Sequence, residues 1–210
     1  MPDYPDLNGQ TRDAAWNLLS AWVKNPGLIR HCLAVETTMR AYAGRFGEPV
    51  EAWGMVGLVH DFDYERYPDL TEHPFVGATV LRDHGYPEWF VRAVLSHADT
   101  ADYPRGSSLE KALFAVDELT GFISAVALVR PSKAVTDVTP ASVRKKMKDK
   151  RFAEGVHRSD MTRGADELGV DFDQHVEFVI RAMASNADAL GLAGVQTPAA
   201  SNADRAPLAT

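Results

Sequence analysis

His60 is followed directly by Asp61 at the end of the apolar stretch GMVGLVH. A carboxylate is costly to bury unless it is paired, hydrogen-bonded or bound to a metal. Neighbouring residues on a helix point roughly 100° apart, so the two converge on one ion only near a helix end. The loop that begins at Asp63 supplies that end. Asp117 poses the same question in LEKALFAVDELTGF, one residue off an apolar stripe of Leu113, Val116 and Thr120. His97 falls in line with Phe90 and Val94, and His31 lies one residue off Leu28 and Cys32. Imidazoles and carboxylates facing inward from four helices suit a metal site inside a helical bundle. Such ligands, with open positions, favour Mn²⁺, Fe²⁺, Co²⁺, Ni²⁺ or Zn²⁺ over Ca²⁺. An ion of that kind acidifies bound water and neutralises phosphoryl charge.

The elements that must carry these residues are helical. Ala15, Leu18, Leu19, Trp22 and Val23 keep one helix face. Asn25-Pro26 starts a second helix, with Leu28, Cys32, Val35, Met39, Tyr42 and Phe46 on one stripe. Pro49 opens a third, apolar on nearly every side and so expected to be buried. A helix over about 73–83 ends at Gly85, and Pro87 starts the next. Ser107 with Glu110 predicts a capping box opening a long helix that must stop before Pro131. Further helices are expected from Thr139-Pro140, over 159–168, and from Phe172 to Leu190. No stretch shows sustained period-2 alternation. The expectation is an all-α domain of eight or nine helices in residues 1–190, with 191–210 a disordered tail.

Composition narrows the function classes. A chain of 210 residues with 45% hydrophobic residues can bury a core of its own. A net charge of −7 argues against a broad nucleic-acid surface. The single cysteine, Cys32, leaves neither a disulfide framework nor a cysteine-based zinc site, and reads as packing. No apolar run is long enough for a membrane span, and MPDYPDLNGQ has no secretory core, so a cytoplasmic protein is expected.

The ordered set His31, His60-Asp61 and Asp117 resembles the HD-domain superfamily over about residues 28–130. The motifs around it are similar to those of small bacterial HD or HDIG proteins: LVHDFD, His73-Pro74-Phe75-Val76-Gly77, Ser96-His97-Ala98 and Asp117-Glu118-Leu119-Thr120-Gly121. The resemblance implies an HD-type helical bundle with a divalent metal on His31, His60, Asp61 and Asp117. Some branches add two histidines and hold a second metal, and His73 and His97 occupy that order, 12 and 36 residues after Asp61. The HHExxDGxGYP context of cyclic-di-GMP phosphodiesterases is missing.

The implied activity is a metal-dependent phosphohydrolase acting on a small phosphate ester or nucleotide. Glu65 or Asp63 would take the proton of the attacking water. Arg130 and Lys133 would hold the substrate phosphate. RKKMKDKR at 144–151 reads first as a solvated helix face. Two other readings stand beside this one. A di-iron oxygenase would use the same ligands with His73 and His97. A non-catalytic module would sense a ligand or bind a partner. His84 reads as a helix C-terminal residue, and His157 and His175 as surface or packing residues.

Overall fold

The computed structural model describes residues 6–98, 100 and 102–195, and the rest of the expected tail lies outside them. Ten α-helices make up the described chain, with no strand among the described residues. They are α1 (Arg12–Trp22), α2 (Pro26–Phe46), α3 (Val50–Val59), α4 (Phe75–Asp83), α5 (Glu88–Leu95), α6 (Ser108–Leu128), α7 (Pro140–Met147), α8 (Arg158–Leu168), α9 (Phe172–Ala184) and α10 (Ala187–Leu190). Nine follow the expected order. The tenth arises because the last apolar stripe is broken at Ser185-Asn186, where the Asn186 amide donates to the Thr37 hydroxyl at 3.0 Å. The break turns Leu190 and Leu192 into the core. No described helix is long and apolar enough to cross a membrane.

Local chemistry explains where the two site-bearing helices begin. The Asn25 side chain accepts from the Gly27 N–H at 2.7 Å, with Pro26 at the first helical position of α2. Ser107 and Glu110 form the expected capping box of α6. The apolar helix α3 is buried from Ala52 through Val59. It lies against α2 so closely that a Cβ on Gly57 would stand 3.1 Å from the Glu36 backbone. Helix α8 crosses α6 at a similar contact, with a Cβ on Gly164 2.6 Å from the Ala115 Cα. That crossing brings the start of α8 beside Asp117.

A buried hydrogen-bond chain ties α2, α9 and α6. The Tyr42 hydroxyl donates to His175 Nδ1 at 2.5 Å, and His175 Nε2–H donates to the Ala115 carbonyl at 2.9 Å. Both nitrogens of a neutral imidazole are thereby satisfied. Burial lowers the His175 pKa from 6.5 to about 4. The unfolded chain therefore takes up this proton first as pH falls. Stability contributed by neutral His175 is present above about pH 6.5 and is lost between there and about pH 4. The loss at the acid end is roughly 3 kcal/mol. Melting temperatures from pH 7 to 4 are expected to fall less steeply for His175→Gln than for the parent chain. Parallel slopes would show that His175 does not carry this dependence.

Candidate metal centre

Five elements deliver the six expected ligands. His31 comes from the second turn of α2, and Asp117 from the middle of α6. His60 ends α3 in helical conformation, and Asp61 opens the turn that follows. This helix end lets two adjacent side chains meet at one centre. His73 stands just before α4. His97 sits in a 3₁₀ turn, Ser96–Ala98, that follows α5 instead of lying within it.

The six side chains form two groups that share Asp61. In the first, His31 Nε2 lies 3.0 Å from Asp117 Oδ1, 3.2 Å from His60 Nε2 and 3.7 Å from Asp61 Oδ2. His60 Nε2 is 3.3 Å from Asp117 Oδ1 and 3.5 Å from Asp61 Oδ2. In the second, Asp61 Oδ1 lies 3.2 Å from His73 Nε2 and 3.3 Å from His97 Nε2, and these two nitrogens are 3.1 Å apart. Asp61 thus presents one oxygen to each group. Both groups have donor sets suited to a divalent ion.

The donor chemistry fits a metal. Three imidazoles are held through Nδ1: His60 to the Gly57 carbonyl at 2.8 Å, His97 to the Val94 carbonyl at 2.5 Å, and His73 to Asp63 Oδ1 at 2.7 Å. Those acceptors place the proton of a neutral imidazole on Nδ1 and leave Nε2 as a lone pair. The Nε2 lone pairs then face one another and carboxylate oxygens, a grouping that a cation satisfies. For ligands about 2.1 Å from an ion, neighbouring donors stand roughly 3.0–3.4 Å apart. Most of the distances above lie in that range.

The same geometry attracts protons in a metal-free centre. Burial lowers the His60 pKa, but Asp61 and Asp117 outweigh it and lift it to about 9. For His73, burial again acts downward, and Asp61 and Asp63 raise it to about 9. Burial pushes the Asp61 carboxyl up, yet His60, His73 and His97 hold it well below the usual carboxylate range. Asp117 follows the same pattern: His60 and His31 overcome the effect of burial.

The centre forms the floor of a cleft of about 570 Å³. Neither proposed base belongs to its lining. Asp63 is fully buried, with Oδ1 on His73 and Oδ2 accepting from the Gly77 N–H at 2.7 Å. It orients His73 and has no face on the cleft. Glu65 is turned outward and accepts from the Lys24 and Asn25 N–H groups at 2.9 and 2.8 Å. It anchors the turn from α1 into α2. Glu65→Ala is therefore expected to keep metal content and turnover within about twofold of the parent chain. A loss of either beyond tenfold would return Glu65 to the site.

Arg130 and Lys133 are also absent from the cleft lining. They follow the end of α6, and Arg130 is 13 residues beyond Asp117, roughly 20 Å along a helical rise. Residues 144–151 are largely exposed along and after α7, where Arg144 pairs with Asp173 at 2.6 Å. His84 Nδ1 donates to the Val80 carbonyl at 2.8 Å, as suits a helix C-terminal residue. Cys32 is buried.

Three cleft residues escaped the sequence reading. Glu118 lies next to Asp117, and its Oε1 is 3.1 Å from His157 Nδ1. Burial first, and then Asp117, raise the Glu118 pKa. Asp160, one turn after His157 at the start of α8, joins them as a third group of ligand-type side chains. The motif DELTG was the available signal for Glu118. His157 has 71% of its side chain exposed and leaves no periodic trace in the sequence.

The family model described as "HD domain" matches residues 28–120. No match was found among curated proteins or solved structures. The matched span contains all six residues of the first two groups and ends just after Asp117 and Glu118.

Proposed function

We propose that this protein, whose residues 28–120 match the HD-domain model, is a metal-dependent phosphohydrolase acting on a small phosphate ester. The observation that carries the reading is the position of Asp61, one oxygen in each of two histidine–carboxylate groups on the floor of an open cleft. His31, His60, Asp61 and Asp117 would hold one divalent ion, and Asp61, His73 and His97 a second. Ions so placed would acidify water and screen the charge of a phosphoryl group. The chain's own residues supply the rest. The Nδ1 hydrogen bonds of His60, His73 and His97 fix the ring orientations. The Glu118–His157 pair takes the acid–base role first expected of Asp63 and Glu65, because it is the pair that lines the cleft. A proton accepted at Glu118 can pass through His157, whose side chain reaches solvent.

A second reading keeps one specific support. Asp61, His73 and His97 form a two-histidine, one-carboxylate set of the kind that binds iron in oxygen-activating enzymes. One experiment separates the two. Protein purified without chelator is assayed for metal content, phosphate release and oxygen uptake. The hydrolase reading expects about two divalent ions per chain, with phosphate release from esters under strict anaerobiosis. Iron together with substrate-dependent oxygen consumption, and no anaerobic turnover, would replace it with the oxygenase.

A further inference from the structure

We propose that the cleft accepts a ligand with one phosphate as its sole anionic group and an apolar remainder, and that Glu118 and Asp160 select against a second phosphate. The inference rests on the phosphohydrolase reading and narrows its substrate class. Its starting point is a missing residue type: among the described residues that line the cleft there is no lysine or arginine. Outside the ions, no lysine or arginine of the described lining is placed to hold a second phosphate, the role those residues take with di- and triphosphates elsewhere.

The charge at the floor then limits the ligand. Two divalent ions bring four positive charges, Asp61 and Asp117 cancel two of them, and the buried Asp63 carboxylate on His73 offsets a third. The remainder is no more than one phosphate monoester neutralises, since that group carries close to two negative charges at pH 7. A further phosphate would extend into the cleft, where Glu118 and Asp160 carry its own sign. Asp160 is offset by Arg163 at 3.1 Å, and Glu118 shares its charge with His157. Both carboxylates are thus partly offset, and Glu118 is the one that directly follows Asp117 on α6. Like charges brought together in a partly dry cleft are costly enough to govern selection.

The walls describe the rest of the ligand. Leu28, Tyr64, Leu70, Phe114 and Val156 line the cleft, and Leu70 is 70% exposed at its edge. They offer apolar contact to an uncharged aliphatic or aromatic group.

Two probes share a benzyl frame and differ by one phosphonomethyl group: benzylphosphonate and p-xylylenediphosphonate. Each is titrated calorimetrically into the full-length, manganese-loaded protein, and manganese content is checked afterwards. The monophosphonate is expected to bind at least about tenfold more tightly. Glu118→Gln is expected to shrink that ratio severalfold by improving diphosphonate binding. Equal or tighter binding of the diphosphonate by the parent chain would overturn the proposal and leave the hydrolase reading standing. Failure of both probes to bind protein that retains its manganese would overturn the phosphohydrolase reading, and this proposal with it.

Discussion

Asp61→Ala is expected to remove both ions at once and to lower turnover by about 10³-fold or more. Among the described residues, no other ligand-type side chain belongs to both groups. His73→Ala or His97→Ala should empty the second position and spare the first. His31→Ala should do the reverse. Asp61→Ala also leaves four histidines facing one another without the carboxylate between them. That loss is purely local, since the side chain sits in the turn after α3 and not in the packed stripe of that helix. The fold is expected to persist, with unchanged far-ultraviolet circular dichroism. Metal content per chain is the direct readout. Retention of two ions by Asp61→Ala would refute the shared-ligand geometry, and retention of one would show that the carboxylate serves a single position.

Asp63→Asn is expected to weaken the second position by about 10- to 100-fold in metal affinity while leaving the first unchanged. Asp63 uses both oxygens as acceptors, one for His73 Nδ1–H and one for the Gly77 N–H. An asparagine has one acceptor oxygen, so its amide N–H₂ must face one of two donors. Either outcome costs the second position. If the amide faces His73, the ring loses the contact that orients Nε2 toward Asp61. If it faces Gly77, the backbone N–H is left buried and unpaired, a penalty of roughly 1–3 kcal/mol. Space gives no relief, because a Cβ on Gly77 would already stand 2.7 Å from Asp63 Oδ2. Stepwise metal titration of the parent and variant resolves the two positions. An equal loss at both would mean that Asp63 supports the fold more than the site. An unchanged second position would remove Asp63 from the metal centre altogether.

These two residues, two positions apart, show how unevenly function can be read from the chain. The sequence by itself determined the helical class, the order of the helices and five of the six histidines and aspartates that the fold brings together, His73 entering through the resemblance alone. Each of those leaves a local signature. A helix repeats its apolar residues every three or four positions, and His31, His60, Asp61, His97 and Asp117 stand out as polar groups within or beside such stripes. The capping signals at Asn25-Pro26 and Ser107-Glu110 are local in the same way.

The tertiary structure alone decided the rest. Asp63 and Glu65 look alike as acids in one loop, yet one is buried against His73 and the other caps the chain entering α2. Which of them faces the metal side depends on where α4 and α2 pack, and sequence spacing does not encode that. Arg130 and Lys133 were plausible phosphate ligands by charge, but the length of α6 carries them away from the cleft. Glu118 and His157 are 39 residues apart and meet because α8 crosses α6 where Gly164 rests on Ala115. Inward-facing histidines and carboxylates announce themselves because burying a polar group is expensive and so breaks an apolar pattern. Glu118, His157 and Asp160 break no such pattern, and they are brought together only by the crossing of distant helices.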